Sequence, residues 1–101
     1  MLTSKQRAQL RSMANGIDTI LIVGKDGVTP NVVTQAADAL KARELVKGRV
    51  LENSLLSAKE ACDILAERCR AESVQCIGSK FVLYKRNETD PKIELVKSKK
   101  K

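Results

Sequence analysis

The chain has 101 residues, for which one compact domain around one core is the default expectation. Its 19 Lys and Arg against 12 Asp and Glu give a formal charge of +7 with no histidine, which points to nucleic acid, an anionic membrane or another acidic partner. No apolar run approaches the roughly 20 residues of a membrane span and no signal-peptide pattern opens the chain, so a cytoplasmic protein is expected.

In chain order, Thr3-Ser4-Lys5-Gln6 has the form of a capping box and opens a helix that runs to about Ala14. Leu10 and Met13, with Ala14 and Leu2, make its apolar stripe. Lys5, Arg7 and Arg11 share the other side, and no acid precedes Asp18. Asn15-Gly16 ends the helix, glycine suiting the left-handed position beyond a C-terminus. Asp18 to Val23 is β-branched and apolar on both faces, the pattern of a central strand covered on both sides. Gly24-Lys25-Asp26-Gly27 is a short loop. After it, Thr29 as N-cap and Pro30 at the first helical position start a helix to about Arg43, with Val32, Val33, Ala36, Ala37 and Leu40 at helical spacing.

Glu44 to Glu52 reads as a second strand, interrupted by Lys47-Gly48-Arg49. Lys47 and Arg49 share a face there, and Gly48 marks either a bulge or a place of close packing. Ser57-Ala58-Lys59-Glu60 is a second capping box, for a helix reaching about Glu72 with Ala58, Ala61, Cys62, Leu65, Ala66 and Cys69 as its buried stripe. Val74 to Ile77 and Phe81 to Lys85 are strands joined by a hairpin at Gly78-Ser79-Lys80. Phe81 and Tyr84 differ in strand parity, so they cannot form one aromatic platform, and core packing is expected for both. Residues 1–86 form the expected domain. Residues 87–101 are a polar tail in which Ile93 to Val96 offer a short edge strand, and Lys97-Ser98-Lys99-Lys100-Lys101 is expected to be disordered. The element order predicts an α/β sandwich around a mixed four-stranded sheet.

Chemistry concentrates at the loop. Gly24 to Gly27 should stand just before a helix N-terminus, where unpaired backbone N–H groups and the positive dipole end favour an anion, and Lys25 adds a charge at the tip. The same two glycines also suit an ordinary tight turn. The spacing is not that of a nucleotide-binding P-loop, and no third glycine completes a dinucleotide fingerprint. A GxxG loop clamps the nucleic-acid backbone in KH domains, but it lies there between two helices, whereas this one follows a strand. The carboxylates are scattered over helix surfaces, and Cys62, Cys69 and Cys76 form no CxxC pair. No enzyme, metal site or cofactor is expected, and the cysteines read as small apolar core residues.

Three blocks occur in one order: Ile22-Val23-Gly24-Lys25-Asp26-Gly27-Val28-Thr29, then Ala39-Leu40-Lys41-Ala42-Arg43-Glu44-Leu45-Val46-Lys47, then Gln75-Cys76-Ile77-Gly78 with Val82-Leu83-Tyr84-Lys85. Together they resemble the bacterial YhbY-type CRM (chloroplast RNA splicing and ribosome maturation) domain. Leu2-Thr3-Ser4-Lys5-Gln6-Arg7 with Leu10-Arg11 is similar to the family's first helix, so the resemblance covers residues 1–86. It implies an α-β-α-β-α-β-β fold akin to the C-terminal domain of translation initiation factor three, and RNA binding without catalysis. It further implies association with precursors of the large ribosomal subunit. The resemblance places RNA contacts on Gly24, Lys25, Asp26 and Gly27 and on Lys5, Arg7 and Arg11; Lys47, Arg49, Lys85 and Arg86 are added for their charge. The chain departs from the family at Asn15-Gly16, where many members carry two histidines, and at Gly48, where a β-branched residue is usual. The expectation is an rRNA-binding assembly factor without a small-molecule substrate; the sequence leaves the oligomeric state open, a monomer being favoured. A nucleic-acid-coating or ribosomal structural protein and a plain protein-interaction domain are the alternatives.

Overall fold

A computed structural model of the chain describes residues 2–87 together with Ile93 and Leu95. Its elements are α1 (Ser4–Ala14), β1 (Thr19–Val23), α2 (Pro30–Arg43), β2 (Leu45–Val50), α3 (Ala58–Cys69), β3 (Glu72–Ile77) and β4 (Lys80–Tyr84). Local chemistry starts each helix. Thr3 and Gln6 form a reciprocal capping box at 3.0 and 3.1 Å, and Ser57 and Glu60 form another at 2.9 and 3.1 Å. Thr29 caps α2 by accepting from the Val32 N–H, with Pro30 just inside.

The four strands form one mixed sheet in the order β1-β2-β4-β3, with β1 parallel to β2 and β4 antiparallel to both its neighbours. Helices α2 and α3 cover one face, where Ala36, Leu40, Ala61, Cys62 and Leu65 pack on Leu21, Val23, Val46, Val50, Phe81 and Leu83. Helix α1 lies on the other, its Leu10 and Ala14 packed on Leu45, Val74, Val82 and Tyr84. Phe81 and Tyr84 are both buried, one in each core, as their parity requires. Burial pushes the Cys62 thiol up to about 12 and raises that of Cys69, so both are inert packing groups at neutral pH.

Several expectations need correction. β1 is an edge strand, not a central one: Leu21 and Val23 are buried, whereas Ile20 and Ile22 on its other face stay exposed, since α1 packs mainly on β2, β4 and β3. Ala37 and Met13 are exposed although they fall on the expected stripes. Gly16 follows α1 without a left-handed φ, and the helix ends instead on the Lys47 ammonium, whose Nζ donates to the Ala14 carbonyl at 3.2 Å. Arg70 takes the left-handed position after α3, so that helix stops at Cys69 and β3 begins at Glu72.

Glu44 does not begin β2 but caps α2 at φ 66° and is fully buried. Its carboxylate accepts the backbone N–H groups of Asn87 and Ile93, each at 2.6 Å. Ile93 and Leu95 pack against the α1-side core, so the described part of the C-terminal segment belongs to the domain. Neither of these residues lies in a strand; Glu94, Val96 and the lysine-rich end lie outside the described residues.

Candidate nucleic-acid interface

Parallel pairing puts the C-terminal ends of β1 and β2 at the same end of the sheet, and there the chain gathers its loops. The Leu51 N–H donates to the Val23 carbonyl at 2.9 Å, and the Val50 N–H donates to the Ser79 carbonyl at 2.7 Å. The Gly24–Gly27 loop, the β2–α3 loop and the β3–β4 hairpin therefore stand side by side. Gly24 to Gly27 is a turn closed by the Gly27 N–H donating to the Gly24 carbonyl at 3.0 Å, so one of the N–H groups expected to face a ligand serves the turn itself. Among the described residues, those of Lys25, Asp26 and Val28, and that of Asn31 in the first turn of α2, have no acceptor. Lys25 and Asp26 are exposed at the tip.

The two glycines have different duties. Gly27 sits at φ +72°, and a Cβ there would stand 3.3 Å from Leu56 Cδ1, so any side chain strains the fold. Gly24 has an ordinary φ, and its Cβ would meet only Leu51 Cδ1 at 3.9 Å. Gly27 shapes the turn, and Gly24 leaves its outer side open. Gly24 is therefore the position of the loop that takes a side chain without disturbing the domain.

The basic residues divide by place. Arg49 is exposed on the α1 side of the sheet and pairs in register with Ile22, just before the loop. Lys5 and Arg11 are exposed on α1, while the half-buried Arg7 guanidinium donates to the Ser73 carbonyl and ties α1 to β3. Lys47 is engaged at the end of α1. Lys85 and Arg86 follow β4 at the opposite end of the sheet, beside Arg70 and Leu2, and do not join the loop. The structure thus unites Gly24, Lys25, Asp26, Gly27 and Arg49, with α1 on the same face as Arg49. Lys80 was missed: read as part of the hairpin, it is the first residue of β4 and the register partner of Arg49. Its separation by two and four residues from Val82 and Tyr84 was the available signal.

Beside the loop, an open groove of about 790 Å³ runs between Leu51–Ser57 and Gly78-Ser79. Among the described residues no group of three His, Cys, Asp or Glu could hold a metal ion, and no helix is long and apolar enough to cross a membrane.

The CRS1 / YhbY (CRM) domain model matches residues 2–85 of the chain. "Probable RNA-binding protein YqeI" of Bacillus subtilis is 43% identical over 95 residues, 94% of this chain and 99% of that protein. "Probable RNA-binding protein MJ0652" of Methanocaldococcus jannaschii is 33% identical, over 99% of this chain and 75% of its own length. The solution structure of SAV1595 from Staphylococcus aureus, a candidate RNA-binding protein, superposes with a TM-score of 0.80 at 44% identity, covering 95% of this chain and all of that one. None of these names is that of an enzyme.

Proposed function

The chain belongs to the CRS1/YhbY (CRM) domain family, and on that footing we propose that it is a non-catalytic RNA-binding protein that grips the phosphate backbone at the loop end of its sheet. The observation that carries this is the Gly24–Gly27 turn, whose outward N–H donors stand before the positive end of α2 with Lys25 at the tip and Arg49 nearby. Donors of this kind hold phosphate oxygens without reading base identity, so recognition rests on shape and charge. Lys5 and Arg11 on α1 extend the positive face, and the net charge of +7 steers the encounter.

The RNA is ribosomal, carried in cytoplasmic precursors of the large subunit, where a small non-catalytic domain assists assembly and then leaves. Gradient sedimentation of cell extract tests this. The chain is expected with large-subunit precursors and absent from finished ribosomes. Stoichiometric recovery in finished ribosomes would make it a structural ribosomal protein instead.

A further inference from the structure

One row of register partners crosses all four strands on the α1 face: Ile22 of β1, Arg49 of β2, Lys80 of β4 and Ile77 of β3. All four side chains are exposed, the isoleucines at 42% and 64%. Helix α1 stops short of the row. Lys47 holds its C-terminus one row back, level with Val82 and Gln75, and Arg7 holds its first turns to Ser73. Arg49 and Lys80 face each other across neighbouring strands and, among the described residues, have no hydrogen bond and no acidic partner, an arrangement of like charges that costs stability. Their charges call for an anion between or above them.

From this row, which rests on the RNA-binding function proposed above, we infer that the protein binds an unpaired RNA segment laid across the open sheet face. Arg49 and Lys80 hold its phosphates, and Ile22 and Ile77 meet its bases. The row spans about 14 Å at the usual strand spacing, room for a short unstacked segment. It also runs directly into the Gly24–Gly27 turn, since only Val23 separates Ile22 from Gly24. The isoleucines decide between RNA forms. A duplex turns phosphates and riboses outward and keeps its bases stacked inside, so it offers them no apolar surface; unpaired bases on a flat sheet do. Charge decides against a second copy of the chain, which would bring Arg49 and Lys80 against their own counterparts.

The test compares two labelled RNAs by fluorescence anisotropy: a blunt two-strand duplex, and the same duplex with an eight-nucleotide unpaired 3′ extension. The wild-type chain is expected to bind the extended probe about tenfold more tightly. Ile22→Thr/Ile77→Thr, which keeps β-branching at exposed sites, should erase that gain. Arg49→Gln/Lys80→Gln should erase it too and flatten the salt slope by about 1.4. Equal affinity for the two probes, or an isoleucine double variant that retains the gain, overturns the inference. If Gly24→Asp still weakens both probes, the proposed function stands without it. Absence of salt-sensitive binding to either probe overturns both. A concentration-dependent dimer dissolved by the isoleucine variant would assign the row to self-association instead.

Discussion

Gly48→Ala is expected to destabilise the protein by about 2–4 kcal/mol, lowering its melting temperature by about 10–25 °C. A Cβ at this position would lie 2.3 Å from Phe81 Cζ and 2.6 and 2.9 Å from its two Cε atoms. Gly48 and Phe81 are register partners on β2 and β4, and the ring fills the space above the glycine. The ring cannot turn aside, because Phe81 is 1% exposed and packed among Leu65, Leu83 and Cys62 in the α2/α3-side core. Chemical denaturation of the single variants and of Gly48→Ala/Phe81→Leu measures the coupling. The double variant should recover at least about 1 kcal/mol relative to the sum of its parts. A Gly48→Ala protein as stable as the parent would refute this packing. Gly48 is thus matched to the chain's sole phenylalanine.

Glu44→Ala is expected to cost about 2–4 kcal/mol, since it orphans donors that a buried carboxylate now satisfies. The Asn87 and Ile93 N–H groups converge on that carboxylate, and the Lys85 N–H donates to the Glu44 carbonyl at 2.9 Å. One residue therefore ties the chain beyond β4 back to the end of α2. The neighbouring Tyr84 hydroxyl registers the same environment: burial first, and then the Glu44 charge, push its pKa up. Hydrogen exchange gives the specific readout, with the Asn87 and Ile93 amides losing protection in Glu44→Ala while those of β4 keep theirs. Glu44→Gln, which retains an acceptor oxygen, should fall between. An alanine variant with unaltered exchange at both amides would contradict the latch.

What was legible in the sequence was local. The capping boxes at Thr3 and Ser57, the Thr29-Pro30 start and the stripe from Ala58 to Cys69 depend on residues three or four apart, and they fold as written. So does the placing of the glycine loop between a strand and a helix. The misread features depend on distant partners. Ile20-Leu21-Ile22-Val23 has the same apolar pattern whether one face or two are covered, and only the path of α1 over β2, β4 and β3 decides. Glu44 looks like any charge near a helix end until chain 43 and 49 residues later delivers its donors. At Gly48 the sequence left a bulge or close packing open, and only the register partner Phe81 decides for packing. At the site, charge alone grouped Lys85 and Arg86 with the loop, while sheet topology sends them to the far end and brings Lys80 beside Arg49.

The central claim, that phosphate is held at the Gly24–Gly27 turn, is tested most directly by RNA affinity as a function of salt for the parent and Gly24→Asp. The substitution adds a side chain where the backbone permits one and where only Leu51 is near, so the variant should melt like the parent. The parent is expected to show log K falling against log salt with a slope of about −2 to −3, as three or four phosphate contacts require. Gly24→Asp should bind at least about tenfold more weakly at low salt and lose about one unit of slope. A folded Gly24→Asp protein with the parent's affinity and slope would contradict it.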